Sequence, residues 1–274
     1  MARYDLHTHL FHTWETGKGS LEFGSRSPDS VFSAIAGKAL NGIGLANYSD
    51  WRYEKFANSV AASEGEYKLV KDIGNAIQVE SGSGLLSIIK AQEIPMQIKV
   101  SGRKRQAHML ALGLPNGINI DDGKDLVETC RQIHNLGALA VPAHWWSHYG
   151  LGKQLVLDNA GLLDAIEVFN ANCKRLKPEE IGEVRAQTGL AGLYVSDSHN
   201  RKDLGNGYVL CQDFDFSSRD NLIGSMKERF KFAVHPAYGT TKRNPLTSLL
   251  EHLFFVNYDC RVRRPLGWLE QPVK

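Results

Sequence analysis

The stretch Arg3-Tyr4-Asp5-Leu6-His7-Thr8-His9 decides how the fold is read. Residues 3–6 read as a short strand, and a strand's period of two sends His7 and His9 to one side, where both imidazoles can share a cation. The same pattern recurs along the chain. Residues 42–46 run up to Asn47, 139–143 to His144, 165–169 to Asn170, and 192–195 toward Asp197. Between these runs, residues 29–40, 53–62, 121–136 and 178–188 read as helices, the last with Pro178 in its first turn and Gly189 as its C-terminal cap. Strand-length apolar runs alternating with helices predict an α/β chain whose parallel strands are joined by crossover helices.

One region departs from the alternation. Residues 88–100 and 106–114 read as two extended segments around the turn Gly102-Arg103-Lys104-Arg105, whose cations read as solvated. No repeat or low-complexity linker interrupts residues 1–233, which are taken as one domain. Residues 234–274 read as a C-terminal extension: an amphipathic run at 246–255 and a tail, punctuated by His235-Pro236, Asn244-Pro245 and Arg264-Pro265.

Composition narrows the function. The 274 residues, 42% hydrophobic and 23% charged, suffice for one large core, and a formal charge of +2 is too small to draw the chain to nucleic acid or membrane through its overall field. Any anion must be bound locally. Cys130, Cys173, Cys211 and Cys260 are scattered without a CxxC pair, which argues against a zinc ribbon, a dithiol redox motif and a dense disulfide framework. A reducing, cytoplasmic setting is expected: the N-terminus lacks the apolar stretch of a signal peptide, and no apolar run approaches the ~20 residues of a membrane helix.

Glu93, His108, His144, Asp197 and His199 each fall at or near the end of a predicted strand, where strands of this class present active-site groups. With His7 and His9 they make a set of nitrogen and oxygen ligands without cysteine, suited to zinc, manganese or iron. So many ligands imply more than one ion, with Glu93 the candidate bridge.

These motifs resemble those of the PHP phosphoesterases, the family named for polymerase and histidinol phosphatase. The matching elements are Asp5-Leu6-His7-Thr8-His9, Ala91-Gln92-Glu93-Ile94, His108 leading to Ala111-Leu112-Gly113, Ala143-His144, Ile166-Glu167-Val168-Phe169-Asn170 and Ser196-Asp197-Ser198-His199. The resemblance implies a distorted TIM-like (β/α)7 barrel with metals at its C-terminal rim and hydrolysis of a phosphate ester. It places His7, His9, Glu93 and Asp197 on one ion, Glu93, His108 and His144 on a second, and His199 on the third ion of trinuclear members.

Two departures bear on that third site. The family's further ligands come from shortly after the HxH pair and from an Asp-His pair after the second strand, where this chain reads Leu10-Phe11-His12-Thr13-Trp14-Glu15 and Ala46-Asn47-Tyr48-Ser49-Asp50. The second-strand histidine is missing. Glu15, His12 and Asp50 are the candidate replacements, and the expectation is two divalent ions with a weakened or absent third.

Two dications sharing a water would bring its pKa from about 15.7 toward about 7, supplying a bridging hydroxide for attack on phosphorus. His199, and after it His12, are the candidate acids for the leaving oxygen. Arg201 and Arg26, then Lys18, Lys174, Arg175 and Lys202, are candidate contacts to the substrate phosphate. Residues 11–29 are long for a βα loop and suit a lid. Trp145, Trp146 and Tyr149 suit either an apolar wall or rim packing, with packing favoured for Trp145. Glu167 and Asn170 suit hydrogen bonds that support a ligating imidazole. His134, His235 and His252 are taken as ordinary, and His148 is left open.

The expected function is hydrolysis of a small phosphorylated metabolite. Nucleic acid is not an expected partner, and oligomeric state is not read. The alternatives are a phosphodiesterase or exonuclease on short nucleotides, favoured by Arg261-Val262-Arg263-Arg264, and a catalytically idle regulatory or binding module.

Overall fold

A computed structural model describes residues 1–9, 28–46, 51–82, 84–173, 178–199 and 201–233. The element order is β1 (Ala2–Thr8), α1 (Pro28–Gly37), β2 (Gly42–Leu45), α2 (Trp51–Ala61), β3 (Lys68–Asp72), β4 (Ala76–Ser81), β5 (Gly84–Val100) and β6 (Arg103–Leu112). It continues with α3 (Leu126–Asn135), β7 (Leu139–Pro142), α4 (Lys153–Asp158), β8 (Ala165–Asn170), α5 (Pro178–Thr188), β9 (Ala191–Val195), β10 (Val209–Cys211) and α6 (Arg219–Phe230). The expected C-terminal helix at 246–255 lies outside the described residues.

The expected (β/α)7 barrel is overturned. Among the described residues the strands form a mixed eight-stranded sheet, in the order β10-β1-β2-β5-β4-β3 with β6 on β5 and β7 on β6, and a separate parallel pair, β8-β9. Only β1-β2, β2-β5 and β8-β9 run parallel; the other pairs are antiparallel. The reason lies in the connections. From β3 to β6 each strand follows the last through a few residues, and so short a link joins only antiparallel neighbours, because a parallel pair needs a crossover of a dozen residues or more. The expectation treated residues 88–114 as an interruption of the alternation and read no strand at 66–87, yet β3 to β6 lie within residues 66–114. They instead supply half of the main sheet.

Strand β5 is the spine of that sheet. Residues 84–89 pair with β4, 87–90 with β2, and 91–100 with β6 in unbroken register. Where it changes partner, Lys90 is buried, and its ammonium donates to the Pro115 and Ile118 carbonyls at 2.6 Å each. Gln92 clasps Ile120, donating to its carbonyl at 2.8 Å and accepting its N–H at 2.9 Å. These bonds hold the β5 residues just before Glu93.

The β5-β6 ribbon has two unlike faces, as the strand period requires. Ile94, Met96, Ile98, Ala107 and Met109 pack into a core with Leu126, Cys130 and Ile133 of α3. Those α3 positions recur at helical spacing, and the Asp125 carboxylate accepts the Glu128 N–H at 2.9 Å, a cap typically worth about 1 kcal/mol. With one face committed to that core, Glu93 and His108 fall on the other.

The parallel pair lies against the main sheet at two places. The Asp164 N–H donates to Ala140 O beside β7, and Thr8 bridges Ser198 beyond β9, with the His9 N–H on Ser198 O at 2.7 Å. No helix among the described residues is long and apolar enough to cross a membrane.

Candidate metal centre

His7 and His9 leave the end of β1 on one side, as the alternation predicts, with their Nε2 atoms 3.0 Å apart. Glu93 sits between two groups of imidazoles. Its Oε1 lies 2.8 Å from His108 Nδ1 and 3.1 Å from His144 Nε2, and its Oε2 lies 3.3 Å from His9 Nε2. Asp197 closes the other side, with Oδ1 3.6 Å from His7 Nε2 and 3.4 Å from His9 Nε2. His199 stacks on His9 with ring centroids 4.5 Å apart, and its Nδ1 lies 3.0 Å from Asp197 O.

Three overlapping groups therefore have the chemistry and spacing to hold a cation: His7-His9-Glu93, Glu93-His108-His144 and His9-Asp197-His199. Two ligands bound at 2.0–2.1 Å to one tetrahedral ion are about 3.4 Å apart. The contacts among His7, His9, Glu93 and Asp197 scatter around that value, from 3.0 to 3.9 Å, so the donor set fits a divalent ion.

The electrostatics agree. Burial alone would lower the histidine pKa values, yet Asp197 and Glu93 outweigh it and raise His9 to about 10. Glu93 chiefly does the same for His144, raising it to about 9. His7 is also raised against its burial, by Asp197 and Glu167. Conversely, burial would raise Glu93 and Asp197, but His108 and its neighbours hold the first, and His7, His9 and His199 the second, below the usual carboxylate range. The cage is a dry concentration of negative charge that draws positive charge. Cys173 does not join it as a thiolate: burial, then Asp197, Glu167 and Glu93, push its thiol well above the ordinary value.

A second layer aims these groups. The Glu167 carboxylate, fully buried in β8, meets His7 Nδ1 at 2.7 Å through Oε1 and accepts the His144 N–H at 2.6 Å through Oε2. Asn170 donates Nδ2 to Glu167 Oε2 and to Asp197 Oδ2, at 3.1 Å each. Glu167 thus bonds an imidazole as expected, whereas Asn170 bonds the two carboxylates instead. Asp5, equally buried, accepts the Ser196 N–H at 3.0 Å and the Gly205 N–H at 2.9 Å, clamping both ends of the segment that carries Asp197 and His199. Asp197 and His144 have positive φ, 52° and 29°, in the region that side chains disfavour.

The structure thus brings together His7, His9, Glu93, His108, His144, Asp197 and His199. Arg201 lies on an exposed turn just past His199, and the Lys202 carbonyl accepts from Lys38 Nζ. His12, Glu15, Asp50, Lys18, Arg26, Lys174 and Arg175 lie outside the described residues, as does most of the expected lid. Trp145 is buried, its Nε1 donating to Glu167 O at 2.7 Å, so it is packing rather than an open wall. Tyr149 stacks on His108 at 5.4 Å, and exposed His148 meets Tyr149 edge-on. His134 pairs with Asp164 away from the cage, an ordinary role.

Sequence reasoning missed the clamp made by Asp5 and the bond from Ser147 Oγ to His144 Nδ1 at 2.9 Å. Asp5 had a visible signal, a carboxylate inside a strand that reads as buried. Ser147 had only its place three residues after His144.

No family model and no curated protein matches the chain. Among solved structures, an amidohydrolase from Chromobacterium violaceum, determined with bound sulfate and no metal, is similar at 14% identity and a TM-score of 0.46. That similarity covers 85% of this chain and 98% of that one, and at so low a score it carries no conclusion about fold or function.

Proposed function

We propose that this chain is a metal-dependent phosphoesterase acting on a small phosphorylated metabolite. The supporting observation is the convergence on Glu93 of imidazoles from β1, β6 and the turn after β7, with Asp197 opposite. An idle binding module would have no such need, since buried histidines and carboxylates cost desolvation without a cation to neutralise them.

In this reading His7, His9, Glu93 and Asp197 hold one divalent ion and Glu93, His108 and His144 a second, zinc, manganese or iron being compatible with the donors. Such ions supply an activated water and neutralise the phosphoryl oxygens. The side chains do the rest. Glu167 accepts from His7 Nδ1, which leaves Nε2 as the ligating atom. Ser147 on His144 Nδ1 likewise leaves Nε2 toward Glu93.

His199 is the acid for the leaving oxygen. Its Nδ1 lies 3.0 Å from the Asp197 carbonyl, which only accepts, and 3.4 Å from Asn172 Nδ2; with the proton on Nδ1 toward the nearer carbonyl, Nε2 is the atom that gains and loses one. The residue lies at the edge of the cage, with its side chain 15% exposed, within reach of solvent and substrate.

The test is a panel of phosphomonoesters and short oligonucleotides assayed on manganese-loaded protein. Turnover of phosphomonoesters is expected. Turnover of oligonucleotides alone would overturn the substrate class, and turnover of neither would overturn the reading.

A further inference from the structure

Arg103, Lys104 and Arg105, expected in the turn, instead open β6 just past Gly102, and these cations do not share one environment. Arg103 and Lys104 are exposed, whereas Arg105 is half-buried. Its guanidinium reaches across to the loop after β7, with Nη1 on His148 O at 3.2 Å and Nη2 on Gly150 O at 2.7 Å and Leu151 O at 3.2 Å. A planar fork with several donors can hold three carbonyls of one loop at once.

That loop carries His144 itself, and its later residues touch both His144 and His108. Ser147 Oγ bonds His144 Nδ1 at 2.9 Å. Tyr149 stacks its ring on His108 at 5.4 Å with an 18° tilt, and its carbonyl accepts the His108 N–H at 2.8 Å. Because Arg105 and His108 both belong to β6, the guanidinium ties the strand bearing one imidazole to the loop that orients the other. His144 sits at φ 29°, a conformation that persists only when its surroundings enforce it. The opposite half of the cage has a different anchor, Asp5, which holds the 196–205 segment and makes no contact with this loop through the bonds described.

We infer that Arg105 is a positioning residue for the His108-His144 half of the cage rather than for the half that contains Asp197. The inference rests on the two-ion reading proposed above. It follows that losing Arg105 weakens one ion and spares the other.

The experiment uses the full chain stripped by chelator and titrated with manganese, followed by calorimetry and by electron paramagnetic resonance, which separates coupled from isolated manganese. Wild type takes up two ions. Arg105→Met retains one at wild-type affinity and binds the second about ten- to a hundred-fold more weakly, the usual effect of losing a group that orients a ligand. Arg105→Lys, which keeps the charge and can donate to some of the same carbonyls, gives an intermediate loss on the same ion. Arg103→Met, at the same end of β6, matches wild type. Equal affinity for both ions in Arg105→Met overturns the inference, as does an Arg103→Met variant with the same defect. If Arg105→Met loses both ions, an Arg105→Lys variant that also weakens both equally makes Arg105 a general fold residue and overturns the inference; selective weakening of one upholds it. A wild type that binds fewer than two ions refutes the two-ion reading and this inference with it, whereas an Arg105→Met variant that binds both ions at wild-type affinity refutes the inference alone.

Discussion

Replacing Glu167 by glutamine tests the orienting layer with almost no change of volume. The carboxylate now accepts from His7 Nδ1 through one oxygen and from the His144 N–H and Asn170 Nδ2 through the other. An amide has only one oxygen. If that oxygen keeps His7, the new NH2 group faces two donors. If it keeps His144, the NH2 group faces His7 Nδ1 and drives the proton to Nε2, the atom that should ligate. Two charge-assisted hydrogen bonds are lost in the first orientation and one in the second, about 1.5–3 kcal/mol for each such bond. At about 1.4 kcal/mol per decade, that corresponds to roughly a ten- to hundred-fold loss of manganese affinity. The loss falls on the ion held by His7 and His9 when the oxygen keeps His144, and on the His144 ion when it keeps His7. Isothermal titration of the stripped variant reads it directly. Affinity within about two-fold of wild type, in a variant whose circular dichroism is unchanged, would refute the claim that Glu167 aims these imidazoles.

Other consequences are equally direct. His7→Ala and Asp197→Ala should each abolish phosphoesterase turnover in manganese, and full activity in both would remove the enzyme reading. Because His9 and His144 are raised to about 10 and about 9, the stripped cage holds protons at neutral pH, and binding a dication must expel them; manganese affinity should rise with pH up to about pH 10, with proton release measurable in buffers of different ionisation enthalpy. The raised histidines also stabilise the stripped protein fully below their ordinary pKa and lose that contribution as pH climbs through 9 to 10, so the chelated chain should melt lower at pH 10 than at pH 6 in a thermal scan. Gly150→Ala should lower the melting temperature and weaken the His144 ion, since a Cβ there would overlap the Trp145 and His144 carbonyls.

How much of this was legible in the chain depends on the range of the interaction. The shared side of His7 and His9 follows from two residues of strand, a purely local property, and the structure places their Nε2 atoms together. Helix α5 begins at Pro178 and is capped by Gly189, at φ 69°, for similarly local reasons. Strands β3 and β4 escaped notice because β3, Lys68-Leu69-Val70-Lys71-Asp72, is a mostly exposed edge whose charges hide its alternation. Overlooking them left the parallel barrel standing as the expectation, since antiparallel pairing through short turns is what rules it out. Arg105 was read as one more solvated cation of a turn. Nothing near it in sequence says otherwise, because its acceptors lie 43 to 46 residues away.

The left-handed backbone at His144 and Asp197 sets stability against purpose. Each such residue costs the fold of order 1–3 kcal/mol, a cost that glycine would not incur. Selection of this chain for heat resistance alone would favour erasing both side chains, and a thermostabilised library should be screened for ion binding before any of its members is trusted as a catalyst.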